Sequence, residues 1–329
     1  MWGTGAFVPR RVTKSTRDVQ HIAFDYVVCA NRLITQNPDV LVQSIAPVIR
    51  PSTVIVMTQN GVGVERPLRQ AFMANPILSA ICYVNCHQVS PGAVRQSSAL
   101  GSLGFKIGNF DSDITIRDSG KLKVDALVTL DPKFGLIEDL EVERWTKAVI
   151  NGSWNPVTAI LGLETHELIA TSDLGLALVQ RLSEEIFHVA VACGVPLPSD
   201  LRSRVIASVR NTRSMATSML RDARKKRQME IETLCGTSGW DLFDSANVFQ
   251  GNISRHAESI GAAAPTVKAV YQILALMNEI FRQRVSPSTD PDLIEIVHPP
   301  LHFILAFLAL CDHHYLFKSI EGPPTQIFS

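Results

Sequence analysis

The chain has 329 residues, 46% of them hydrophobic and 19% charged, with a mean hydropathy of +0.14. That length and composition bury a sizeable core in one large or two smaller domains and exclude a disordered polypeptide. With 31 basic and 31 acidic residues the formal net charge is zero, so no global field draws nucleic acid or an anionic membrane.

In chain order, the first residues, MWGTGAFVPRR, lack the long apolar core of a secretory signal. Residues 24–30, FDYVVCA, and 53–57, TVIVM, are short apolar runs that read as strands. Between them PDVLVQSIAPVI sets Val40, Leu41, Ile45 and Val48 at helical spacing. Strand, helix, strand is a βαβ unit and implies a parallel sheet. The second strand runs into TQNGVG, and a strand ending in a glycine-rich turn is where open α/β sheets bind ligands. LSAICYV at 78–84 and LGFKI at 103–107 read as further strands, and SPG at 90–92 as a turn.

Six cysteines are scattered through apolar context, unlike a secreted disulfide scaffold. Cys82, Cys86 and His87 lie close together but lack a second ligand pair, so buried thiols are expected there and no metal. From about residue 140 the pattern becomes helical, with helices expected at 140–154, 173–193, 201–220, 224–235 and 265–284. The second of these ends in CGVPLP, where Gly194 suits the first position beyond a helix and Pro196 stops it. The expected fold class is therefore α/β followed by all-α. Residues 1–139 form the sheet domain and 140–284 the helical domain. An atypical insertion, TSGWDLFDSANVFQG, occupies 237–251, and 285–329 form an irregular tail. The run LHFILAFLALC at 301–311 is too short for a membrane span, which needs about 20 residues.

The chemistry concentrates in KAVINGSWNP, residues 147–156. Lys147, Asn151 and Asn155 recur every four residues, which lines them along one stripe of a helix. Pro156 is expected to kink or end that helix at Asn155. A solvent-facing edge is one reading of the stripe; a wall contacting a polar ligand is the other, and asparagine's poor helix propensity favours the wall. A partly desolvated lysine there can act as a general acid near neutrality. Further along, TSMLRDARKKRQMEIETL contains Ser218 and, twelve residues later, Glu230 between Met229 and Ile231. Glu230 reads either as a buried carboxylate or as a surface glutamate. The RKKR run at 224–227, flanked by acids, reads as a solvated helix end.

FDYVVCANR, QNGVG, KAVINGSWNP and SMLRDARKKRQMEIE together resemble the ketopantoate reductase (2-dehydropantoate 2-reductase) family, in its divergent fungal-type members, over roughly residues 5–283. The resemblance implies a Rossmann-like NADP-binding domain and a helical domain like that of 6-phosphogluconate dehydrogenase. It implies NADPH-dependent reduction of 2-dehydropantoate to (R)-pantoate, or of a related 2-keto acid. Lys147 would be the general acid, and Glu230 would orient it. Asn151, Asn155 and Ser218 would bind substrate, and Asn60 and Arg32 would serve the cofactor. The expected partners are a small keto acid and a second copy of the chain, and the expected compartment is the cytoplasm, or the mitochondrion if an upstream segment carries a signal.

The chain departs from the family pattern in four places, one of them the irregular tail from about residue 285. No glycine-rich fingerprint follows a strand near the start; GTGAF at residues 3–7 has no strand before it and Pro9 after it. The sheet domain is thus expected to be partial, lacking its first βαβ unit and starting roughly seventy residues into the family fold. Arg32 stands where the family has lysine. The insertion at 237–251 interrupts an otherwise continuous helix. A catalytically inactive, ketopantoate-reductase-like binding protein is the alternative these departures raise.

Overall fold

The computed structural model describes residues 9–33, 39–90, 93–99, 103–111, 114–171, 173–231 and 253–284. The insertion expected at 237–251 and the tail at 285–329 lie outside the described residues, as do residues 1–8 with GTGAF.

Strand β1 (Tyr26–Cys29) leads through helix α1 (Asp39–Ile45) to β2 (Val54–Met57). The two strands pair in parallel, Val27 beside Ile55, which is the expected βαβ unit. All four residues of β2 are fully buried, each contributing about 1.5–3 kcal/mol of apolar burial. That accounts for an unbroken apolar run where a half-exposed strand would alternate. The loop after β2 turns at Gly61 and Gly63, both with positive φ (109° and 69°), a region open to glycine at little cost. Helix α2 (Arg66–Ala71) then leads to β3 (Ile77–Cys82), again parallel to β2.

The run expected as one strand over 78–84 divides at Tyr83. Strand β4 (Val84–Ser90) leaves the sheet and pairs with β5 (Ala93–Ala99) as a separate two-stranded ribbon. Strand β6 (Phe105–Asn109) returns antiparallel to β3, with Ala80 beside Ile107, so the sheet is mostly rather than wholly parallel. Helix α3 (Ile114–Val128) crosses to β7 (Phe134–Leu136), parallel to β6. The five-stranded order is β1-β2-β3-β6-β7, and among the described residues β1 and β7 are its edges.

Helix α4 (Leu140–Leu161) opens the helical domain. Asp139 caps it by accepting from Val142 N at 3.0 Å, and Gly162 closes it in the left-handed conformation. Of the kink or end expected at Asn155, the end does not occur: the helix runs on through Pro156. Pro156, Val157, Thr158 and Ala159 are all buried, so packing holds the last turn despite the backbone bond proline cannot make. At Gly152 the helix meets α6 (Asp173–Ala192) so closely that an added Cβ would lie 2.7 Å from Ile186 Cδ1. The short α5 (Thr165–Thr171) lies between these two helices.

The helix expected over 201–220 ends early, as α7 (Leu201–Arg210). Residues 212–217 are not helical, and a new helix, α8 (Ser218–Arg224), starts under the Thr217 cap. The helix expected over 224–235 is absent at 225–231: Lys226 takes a positive φ of 54°, and the chain beyond is neither helix nor strand. There Met229 N donates to Asn278 Oδ1 and Met229 O accepts from Asn278 Nδ2, at 2.8 and 3.0 Å, which replaces the bonds a helix would have made. Asn278 belongs to α10 (Pro265–Arg284), which follows α9 (Ile253–Ser259). Glu185 of α6 accepts from Thr266 N and Val267 N and so caps the start of α10. The helical core gathers around the fully buried Trp145, and Trp154 ties α4 to α7 by donating to Val205 O at 3.1 Å. Among the described residues no helix is long and apolar enough to cross a membrane.

Candidate active site

A cleft of about 180 Å³ opens between the sheet and the helical domain. Its floor is the carboxyl end of β1 and β2, where Ala30–Arg32 and Thr58–Asn60 leave the sheet; its far wall is α4 and the start of α8. Lys147, Asn151, Asn155, Asn60, Ser218, Glu230 and Arg32 all line it.

Lys147 is buried on the cleft-facing side of α4. Its ammonium donates to Asn60 Oδ1 at 2.8 Å and to Cys82 O, and it lies 5.4 Å from the centre of the Tyr83 ring. Burial pulls its pKa down to about 8, with Arg144 acting the same way and Cys82, Glu143 and Glu230 against it. Glu230 sits on the irregular segment after α8, where its carboxylate accepts from Leu33 N at 2.8 Å. Burial raises its pKa, offset by Arg32, the Leu33 amide and Lys147. The two groups therefore feel each other across the cleft, one from α4 and one from the chain after α8.

Asn155 and Ser218 are linked through two threonines. Thr158 Oγ1 donates to Asn155 O at 3.0 Å and lies 2.8 Å from Thr217 Oγ1, and Thr217 caps α8 through Leu220 N. One hydroxyl pair thus fixes the two polar motifs against each other.

Arg32, at the rim of the cleft, is also tied within the chain. Its Nη2 lies 2.5 Å from Asp222 Oδ2 and donates to Gln228 O at 2.7 Å, fastening the turn after β1 to the chain around α8. Cys82 and Cys86 line the cleft as free thiols. Burial raises both, Cys86 to about 12, which leaves them protonated and poor metal ligands at neutral pH.

Sequence reasoning missed several residues here. Arg144, one turn before Lys147, forms a buried ion pair with Glu65 and donates to Gln59 O at 2.6 Å, while Ser79 also donates to Glu65. Gln59 donates to Asn31 Oδ1 at 2.8 Å, but its own Oε1 is a buried acceptor without a hydrogen-bond partner among the described residues. Tyr83 donates to Glu143, which also takes Lys106 at 2.7 Å. Arg221 lines the cleft three residues after Ser218. Only Arg221 left a usable sign, since i and i+3 share a helix face.

Comparison with known proteins gives a consistent picture. The sequence model of Ketopantoate reductase PanE/ApbA matches residues 10–112, and that of Ketopantoate reductase PanE/ApbA C terminal matches residues 139–238. A 2-dehydropantoate 2-reductase of Nostoc sp. is 24% identical over 257 residues, covering 77% of this chain and 74% of that protein. The crystal structure of 2-dehydropantoate 2-reductase from Geobacter metallireducens aligns with a TM-score of 0.65 at 20% identity, covering 80% of each chain. A ternary structure of D-mandelate dehydrogenase with NADH and anilino(oxo)acetate aligns with a TM-score of 0.63 at 18% identity, covering 78% of this chain and 77% of that one.

Proposed function

The chain belongs to the ketopantoate reductase PanE/ApbA family, and from that premise we propose that it reduces the ketone of 2-dehydropantoate, or of a related 2-oxo acid, with NADPH. The observation that carries this reading is Lys147: a buried ammonium fixed by Asn60 and the Cys82 carbonyl, with its pKa drawn down to about 8. A donor so placed keeps its proton at neutral pH and loses it readily to a nascent alkoxide.

When bound, the cofactor supplies the hydride. The cleft lies at the carboxyl ends of parallel strands, the usual seat of a nicotinamide, and Gln59 Oε1, which has no partner among the described residues, is an acceptor suited to a carboxamide N–H. Lys147 Nζ delivers the proton to the substrate's ketone oxygen. Asn151, Asn155 and Ser218 offer neutral hydrogen bonds to substrate oxygens from the facing wall. Glu230 favours the charged lysine and orients it. Asn60 holds Lys147 from the β2 turn, and so couples the proton donor to the edge where the nicotinamide would lie.

The experiment is to incubate the chain with NADPH and 2-dehydropantoate, alongside pyruvate and phenylglyoxylate, and to follow loss of reduced cofactor and formation of the 2-hydroxy acid. Stoichiometric conversion of at least one 2-oxo acid is expected. Failure on every 2-oxo acid, with NADPH bound, would leave the inactive binding protein as the better reading.

A further inference from the structure

Among the arginines near the cleft, Arg221 is set apart. Arg32 and Arg227 share Asp222 at 2.5 and 2.7 Å, Arg224 pairs with Glu164 at 3.1 Å, and Arg144 pairs with Glu65. Arg221 has no carboxylate partner among the described residues. It makes four hydrogen bonds, all to neutral acceptors: Ala216 O at 3.1 and 3.0 Å, Cys86 O at 3.2 Å, and Asn85 Oδ1. A guanidinium has five N–H groups in a rigid fork, so one remains for a ligand.

Asp222 and Glu164 act on Arg221 only from further off, and burial pushes its pKa below arginine's usual value. A half-buried cation held open by backbone carbonyls and an amide is incomplete without an anion. It lines the same cleft as Lys147, Asn151, Asn155 and Ser218, from the helix that Ser218 begins.

We propose that Arg221 receives the substrate's carboxylate, so that this cleft selects 2-oxo acids over neutral ketones of the same shape. The assignment rests on the reading of the cleft as a keto-acid site and adds the group that reads the acid. Lys147 then acts on the ketone oxygen while Arg221 holds the other end. Two cations, one from α4 and one from α8, fix the direction in which a small 2-oxo acid lies between them. The division also matches their chemistry: guanidinium keeps its charge and gives the carboxylate one charge-assisted N–H bond from Nη1, whereas an ammonium can release its proton.

The test is calorimetric titration of pantoate and of its neutral amide, with and without NADP⁺, into the wild-type chain, Arg221→Gln and Arg221→Lys. Wild type is expected to prefer pantoate. Arg221→Gln should weaken pantoate about 10- to 100-fold, the scale of a charge-assisted contact, and leave the amide within about 3-fold. Arg221→Lys should fall between. Thermal unfolding of the variants separates lost folding from lost binding, because Arg221 also braces Asn85 and Cys86. Equal loss of acid and amide in Arg221→Gln, or a wild-type chain indifferent to the carboxylate, would overturn the assignment. Discrimination by binding alone, in a chain that turns over no 2-oxo acid, would uphold Arg221 while refuting the reductase reading.

Discussion

Removing Glu65 tests the buried clamp behind the proposed proton donor. The Arg144 and Glu65 side chains are 4% and 2% exposed, so Glu65→Gln strands a desolvated guanidinium rather than merely deleting a contact. Breaking a buried pair in this way costs about 3–5 kcal/mol, a large share of the roughly 5–15 kcal/mol that holds a domain folded. At this chain size that corresponds to a Tm lowered by about 10 °C. Arg144 also donates to Gln59 O, one residue before the Asn60 that accepts from Lys147, so the variant should weaken turnover more than its folded fraction explains. Replacing both partners with apolar groups, Glu65→Leu with Arg144→Met, should restore most of the stability, since neither charge then needs solvation. Urea unfolding of wild type and both variants supplies the numbers. A single variant within about 1 kcal/mol of wild type would show that water reaches the pair and would refute the clamp.

The remaining expectations concern protonation and backbone. With Lys147 near 8, the ammonium needed for reduction is intact below that pH and falls to roughly a tenth at pH 9; kcat/KM for reduction should drop above pH 8 while alcohol oxidation rises. Glu230→Gln removes a charge that supports the ammonium, so the same break should move to lower pH, and an unmoved profile would exclude that coupling. Gly162 closes α4 at φ 72°, and Gly162→Ala should cost about 1–2 kcal/mol in thermal unfolding, because a side chain is strained there.

What could be read from the sequence was what is local. The β1–α1–β2 unit follows from strand-like runs flanking one helical period, and α6 and α10 match the stretches expected for them, α10 at both ends. The interval from Lys147 to Asn155 is likewise short-range, and a helix turns it into a wall of the cleft. Breaks governed by distant partners could not be read. Residues 211–217, NTRSMAT, contain neither proline nor glycine; Thr217 is a capping type, but the break also rests on Met215 pairing with the distant Thr165. Glu230 leaves the helical pattern because Asn278, 49 residues from Met229, claims that backbone. The Arg144–Glu65 and Arg32–Asp222 pairs join residues 79 and 190 positions apart, and charge spacing carries no sign of them. For a related reason Pro156 does not end the helix: the local rule allows a kink or an end, and the buried residues 156–159 carry the helix on.

The central claim is that Lys147 donates the proton in the reduction of a 2-oxo acid. Single-turnover kinetics of Lys147→Ala against wild type, with saturating NADPH and 2-dehydropantoate, tests it most directly. The account predicts hydride transfer slowed by about 10²- to 10⁴-fold, with NADPH binding retained. A variant that reduces the substrate within a few-fold of wild type would contradict it.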